Sequence, residues 1–260
     1  MEKKRQKEIL MLAMRAGTIM MKSGAEIVRV EDTIERICKS CGIEHVDVFA
    51  TPTGIFVSTD NADASNTVTH IRRVRSSETN LTRISKVNQF SRTFTATDMT
   101  VEEGMAVLDE IESSKPYPFW IRAVAAAVVT GCFSVIFGGN ALDFCVTVPI
   151  GLACYIISRF LEKYEINFFI RGFVCCAFAA FCALLAAASI HGVSYAPVIP
   201  GCLMLFVPGI PITNAIRDFL SGNMLSGVAR LTEAAIIGMS LAAGAGVVIE
   251  LWYVMGGIVL

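Results

Sequence analysis

The stretch Leu203–Asn223, LMLFVPGIPITNAIRDFLSGN, decides how the whole chain is read. It begins as apolar as a membrane span, meets Pro208, Gly209 and Pro211, and then carries Asn214, Arg217 and Asp218. Each proline lacks an N–H and disturbs the turn before it, while glycine tolerates dihedrals that other residues avoid. With Pro197, Pro200 and Gly201 upstream, a straight helix from 195 to 220 is not expected. Backbone groups freed at such a break cannot face lipid; they must be buried in protein or line a wet cavity. A new helix can start after Pro211, capped by Thr213 or Asn214, and its N-terminus carries partial positive charge. Arg217 follows within one turn, with Asp218 expected to pair with it. An unwound segment, a half-helix N-terminus and an arginine together suit an anionic group such as a carboxylate. The opposing reading is a helix that ends at the membrane surface, with Arg217 and Asp218 as ordinary loop charges.

The charge distribution sets the context for that break. Residues 1–117 carry 16 Lys/Arg and 17 Asp/Glu, whereas residues 118–260 carry 6 of each. The first part has the composition of a soluble domain; the second is too apolar and too poor in charge to be one. The expected architecture is a small α+β cytoplasmic domain, 1–117, followed by a membrane all-α bundle, 118–260. A formal net charge of −1 without a basic stripe argues against nucleic acid as a partner. The charged N-terminus, MEKKRQKEILMLAMRAG, has helical periodicity in place of the continuous apolar run of a signal peptide.

About 20 apolar residues span the hydrocarbon core of a bilayer. Five segments meet that measure: 118–138, 141–158, 168–190, 195–213 and 231–253, the fourth broken. Lys115 precedes the first and Arg122 sits in its opening turn, Arg159, Lys163 and Arg171 follow the second, and Arg217 and Arg230 follow the fourth. The connections GGNALD and HGVSYAP hold no Lys or Arg. This alternation puts the N-terminal domain in the cytoplasm and the C-terminus outside. Gly238, Ala242 and Gly246 repeat every four residues on the last segment, a small-residue face that lets another helix approach. Asp143 and Glu250 are expected to be wetted interfacial acids, the latter beside Trp252 and Tyr253. Arg230 and Glu233 open the last span, and with Asn223 they are candidates for gating or coupling. Pro208, Gly209, Asn214, Arg217 and Asp218 are the candidate substrate-binding residues.

The first 117 residues read as helices over 5–22, 25–41, 79–95 and 100–114, with strands at HVDVFA, TGIFVS and NTVTHIRRV. Pro52, Gly54, Asn61 and Asp63 supply the turn signals between those strands. Glu26, Arg29, Glu31, Asp32, Glu35 and Arg36 are expected to form solvated i,i+3 and i,i+4 pairs; docking against the membrane half is the functional alternative. Seven of the nine cysteines lie in apolar segments, where they act as small hydrophobes. Cys38 and Cys41 form a single CKSC pair, which is weak evidence for zinc or redox chemistry. With no G-x-S-x-G, no phosphate loop and no metal-spaced histidines, no cofactor or metal is expected.

Three sets of residues carry a resemblance: PGIPITNAIRDFLSGNMLSGVARLTEA at 208–234, SGAEIVRVEDTIERICKSCG at 23–42, and TPTGIFVS with NLTRISKVNQFSR. Together they resemble the threonine/serine exporter family, in particular its subunit with a cytoplasmic domain and five spans. The resemblance implies a bacterial inner-membrane exporter of threonine and serine or, as in two-subunit members, of succinate. It also implies a separate small membrane subunit that supplies the second half, because transporters commonly build their sites between two repeats. The absence of a nucleotide-binding motif makes the proton gradient the expected drive. Two other readings stay open: a membrane-embedded hydrolase using Ser58, His45 and His70, and a sensor or scaffold whose spans only tether the domain.

Overall fold

The computed structural model describes residues 3–60, 68–75 and 78–256. The chain is mostly helical with one small sheet, and it divides into two compact units. One comprises Met1–Lys115 with Ile210–Thr232, the other Pro116–Gly209 with Glu233–Leu260.

The first unit begins with α1 (Lys3–Lys22) and α2 (Ile27–Ser40). In α2, Ile27, Val30, Ile34 and Ile37 recur at helical spacing and are buried on one face. Gly17 of α1 sits where a Cβ would lie 2.5 Å from Ile34 Cδ1, so the two helices approach closely. Strands β1 (His45–Thr51), β2 (Gly54–Asp60) and β3 (Val68–Arg73) form an antiparallel sheet in that order. Pro52 and Thr53 make the tight turn between β1 and β2. Val46, Ala50, Ile55 and Val57 alternate onto the buried face and join one core with α1 and α2. The turn signals Asn61 and Asp63, and residues 66–67 of the third expected strand, lie outside the described residues.

Two further helices close this core. Helix α3 (Leu81–Ala96) starts at Asn80, whose side chain accepts from the Arg83 amide at 3.0 Å. Helix α4 (Val101–Ser113) starts with a capping box in which Thr100 and Glu103 satisfy each other's amides.

The second unit holds α5 (Phe119–Ile136), α6 (Ala141–Lys163), α7 (Phe168–Ser189) and α8 (Tyr195–Leu203). The long α10 (Met224–Val254) contributes its residues from Glu233 onward. Helices α5, α6, α7 and α10 are each long and apolar enough to cross a membrane. Small residues allow the tight contacts. At Gly201 of α8 a Cβ would lie 2.9 Å from the Ser134 amide nitrogen, and at Gly244 of α10 it would lie 2.4 Å from the Phe173 carbonyl oxygen.

Among the described residues no helix packs on the expected small-residue face. Gly238, Ala242 and Gly246 are exposed in this chain, and the close backbone contact falls on Gly244. Asp143 also departs from expectation. It is 1% exposed, accepting from the Asn140 amide at 2.8 Å and the Ser194 amide at 2.7 Å. Its carboxylate closes the N-terminus of α6 and ties it to the connection between α7 and α8, which is why it is buried and not wetted. Glu250 is exposed.

The apolar run 195–213 is interrupted as expected. Helix α8 ends at Leu203, a tightened turn follows in which the Phe206 amide bonds the Leu203 carbonyl at 2.8 Å, and α9 runs from Gly209 to Leu220. The start of α9 corrects one expectation. Pro211 lies inside its first turn, where its missing N–H leaves no helical bond unmade, so Thr213 and Asn214 are helix-interior residues and not caps.

Candidate functional site

Helix α9 and the first turns of α10 belong to the amino-terminal unit, and their polar side chains converge on the short connection between α1 and α2. Helix α1 ends at Lys22, and Gly24 has φ +81°, the left-handed conformation that glycine adopts after a helix. The reversal leaves the carbonyls of Gly24 and Ala25 and the first amide of α2 in need of partners. Glu26 stands at the N-cap position of α2 but makes no side-chain capping bond.

Residues some 190 positions later meet those needs. Asn214 Nδ2 donates to the Gly24 carbonyl at 2.9 Å. One guanidinium nitrogen of Arg230 donates to the Ala25 carbonyl at 2.7 Å. Asp218 Oδ1 accepts from the Ile27 amide at 3.4 Å, placing a carboxylate at the positive end of α2. Asp218 Oδ2 also lies 3.2 Å from Arg230 Nε. Asp218 is 0% exposed and Arg230 9%. Burial pushes the Asp218 carboxyl above its ordinary range, opposed by Arg230 and the Ile27 amide and reinforced by Glu26.

Arg217 points elsewhere. It forms an ion pair with Glu26 and keeps 54% of its side chain exposed. The expected Arg217–Asp218 pair is therefore replaced by two crossed pairs, Arg217–Glu26 and Asp218–Arg230. The reason is helical geometry: adjacent residues project about 100° apart and do not face each other.

A third acid completes the cluster. Glu31 of α2 accepts from the Ala50 amide of β1 at 2.9 Å and shares a side-chain hydrogen bond with Asn223. Burial raises its carboxyl above the ordinary value, and Glu35 and Asp218 add to the rise against the Ala50 and Asn223 hydrogen bonds. Gly222, at φ +83°, makes the turn that brings Asn223 and α10 back from α9.

Of the candidate residues, the structure brings together Asn214, Arg217, Asp218, Asn223 and Arg230. Pro208, Gly209 and Glu233 belong to the other unit. The sequence reading missed Glu26 and Glu31 as partners, having assigned them to solvated pairs on α2. That pattern does hold for Asp32 with Arg36 at 3.8 Å and for Glu35 with Lys39 at 2.7 Å. The signal that could have singled out Glu26 is its place just after Gly24, at the open end of a helix.

The hydrolase residues are not assembled. Ser58 pairs across the sheet with Asp47 and Thr69, and its hydroxyl lies 3.4 Å from Thr69 Oγ1. His70 pairs with Val57, one residue along, and so lies on the opposite face of the sheet. His45 opens β1 opposite Asp60. Cys38 is buried, which pushes its thiol up to about 12, and Cys41 and Glu35 act in the same direction.

Comparison with known proteins bears on the same residues. The family model described as threonine/serine exporter matches residues 11–252. Over 239 residues the chain is 23% identical to the "Probable threonine/serine exporter" of Mycobacterium tuberculosis, covering 92% of this chain and 45% of that protein. It is 22% identical to the "Threonine/serine exporter" of Corynebacterium glutamicum, covering 94% of this chain and 51% of that one. The chain thus spans about half the length of these two relatives. It is 21% identical to the "Probable succinate transporter subunit YjjP" of Escherichia coli, covering 98% of this chain and 99% of that protein. No solved structure matches. The family is one of transporters and not of enzymes, and with four helices among the described residues fit to cross a bilayer the protein is a multi-pass membrane protein. A match that runs from α1 nearly to the end of α10, and so takes in both the α1–α2 connection and the charged helices bound to it, makes this chain a member of the threonine/serine exporter family.

Proposed function

We propose that this chain is one subunit of a secondary transporter that exports small carboxylate-bearing metabolites across the bacterial inner membrane. The substrates are threonine and serine or a dicarboxylate such as succinate, and the proton gradient supplies the drive. Five crossings are proposed, the run 195–213 being the interrupted one, with the N-terminal domain cytoplasmic and the C-terminus external. A separate membrane subunit completes the pathway. Support for that partner comes from the E. coli relative, whose name calls it a transporter subunit, and from the exposed Gly238, Ala242 and Gly246 face.

The observation that carries the reading is the Arg217–Glu26 pair beside a buried Asp218–Arg230 pair. Arg217 is a half-exposed guanidinium already holding a carboxylate, and a substrate carboxylate offers it the same charge-assisted contact. Glu26 occupies the position that the substrate takes when it displaces that side chain. Asn214 donates beside it, Pro208 ends the unwound segment, and Gly209 opens α9. Asp218, Asn223, Arg230 and Glu233 form the gating and coupling set. Within it Asp218 is the proton-responsive group, because its protonation would weaken both its tie to Arg230 and its hold on the α1–α2 connection.

The test is flux in membrane vesicles that contain this chain with and without the second subunit, using labelled serine, threonine and succinate. Arg217→Ala is expected to abolish transport while the protein remains inserted. Undiminished transport of all three compounds by the variant overturns the proposed site.

A further inference from the structure

A second feature of the amino-terminal unit takes no part in this reading. Strand β3 is an edge of the sheet, and two of its positions that face the helices, 70 and 72, are not aliphatic. His70 stands opposite Val57 and Arg72 opposite Ile55, and Val57 and Ile55 both belong to the buried core. Directly opposed residues share a face of the sheet, so His70 and Arg72 are turned toward α1 and α4. The edge strand is therefore not sealed onto the helices, and a cleft of about 460 Å³ opens between them.

Its walls have two characters. Met11 and Met14 of α1 and Met105 of α4 supply an apolar, adaptable surface. The other lining is cationic. Arg15 and Lys22 of α1 are both tied to Glu112 of α4, at 3.1 and 3.5 Å, and Arg15 also pairs with Asp109. Partial burial pushes the Glu112 carboxyl up, but Arg15 and Lys22 outweigh that effect and hold it below its ordinary value. These contacts occupy Arg15 and Lys22 and brace α1 against α4. They leave β3 unanswered: Arg72 makes no ion pair among the described residues, and His70 Nε2 is buried without a hydrogen-bond partner among them. A buried polar atom left in that condition is costly unless something else satisfies it. Residues two apart on one strand face lie about 7 Å from each other, so both donors can reach a single anionic head group.

We infer that this cleft binds a small soluble organic anion with an apolar body, its carboxylate or phosphate held by His70 and Arg72 and its body lying on Met11, Met14 and Met105. The volume lies within the range of small-molecule sites, which combine a mainly apolar lining with a few placed polar groups. The occupant differs in chemistry from the substrates proposed above, which are small and polar throughout. The cleft shares no lining residue with the Arg217–Glu26 site, which suits an effector more than cargo.

The test uses the full-length chain in phosphatidylcholine nanodiscs with ¹³C-methyl methionine labels, assigned by single Met→Ile replacements. Phenylacetate and phenyl phosphate are titrated, with neutral 2-phenylacetamide and succinate as controls. At least one of the two aromatic anions is expected to shift the Met11, Met14 and Met105 methyl signals saturably, and the controls to leave them in place. Arg72→Gln is expected to weaken binding about tenfold or more, the loss of one charge-assisted contact, whereas Arg73→Gln, outside the cleft lining, leaves it unchanged. Absence of a saturable shift at millimolar concentration overturns the assignment. So does equal binding of phenylacetamide, equal weakening by both arginine variants, or a shift caused by phosphatidylglycerol in the nanodisc and by neither soluble acid.

Discussion

Asp218 and Arg230 meet across the turn between α9 and α10, with Arg230 Nε 3.2 Å from Asp218 Oδ2, and both then reach the connection between α1 and α2. Two charges are thus withdrawn from water and used to fasten residues near position 25 to residues near position 220. Removing one partner of such a buried pair costs about 3–5 kcal/mol, because the other charge is left uncompensated. Asp218→Ala is therefore expected to lower the thermal unfolding midpoint of the full chain strongly. The double variant Asp218→Leu with Arg230→Met should recover much of that loss. A double variant destabilised by as much as Asp218→Leu and Arg230→Met summed from separate measurements would show that the pair carries no coupling of its own.

Glu26 and a substrate carboxylate compete for Arg217 in the proposed mechanism. Glu26→Gln keeps the shape of the side chain and removes its charge, so it should lower the KM for exported substrate severalfold. An unchanged KM, measured in the same vesicles that support transport by the parent chain, would count against the competition.

Glu31 has a carboxyl raised in the folded chain from an ordinary value of 4.5, chiefly by burial. The folded state then binds the proton more tightly than the unfolded state does. The stability this group contributes is fully present below pH 4.5 and is lost as pH rises through the raised folded value. Glu31→Gln can still accept from the Ala50 amide but cannot ionise. The unfolding midpoint of the variant, relative to the parent, should therefore climb as pH is increased from 4.5 toward neutrality. A difference that stays flat with pH would remove Glu31 as a source of pH dependence.

Gly244 admits no side chain without displacing the Phe173 backbone, which a flexible side chain cannot relieve. Gly244→Val is expected to destabilise the second unit by about 1–3 kcal/mol, the usual range for overpacking. Gly238→Val, where a Cβ meets nothing within 4 Å, should be close to neutral in the isolated chain. Cross-linking yield with the second subunit is the further measurement for Gly238→Val: a marked drop supports its face as the site of association, and full retention speaks against it.

Much of the architecture was legible along the chain because it depends on local periodicity. The apolar stripe of α2, the alternation of β1 and β2, and the apolar runs of α5, α6, α7 and α10 all follow from spacings of two to four residues or from unbroken apolar stretches. The break between α8 and α9 was legible for the same reason, since proline and glycine act on their own turn. What the sequence could not determine was pairing at a distance. Arg217 beside Asp218 looks like a pair in one dimension, yet consecutive side chains diverge on a helix, and only the fold brings Glu26 and Arg230 to them. Asp143 seemed a surface acid until the fold supplied the Ser194 amide. The cleft under β3 likewise exists only because antiparallel pairing turns His70 and Arg72 toward α1 and α4. Local chemistry chose the elements; the tertiary structure chose the partners of every buried charge, because such a charge is tolerated only where distant backbone and side chains replace the water it lost.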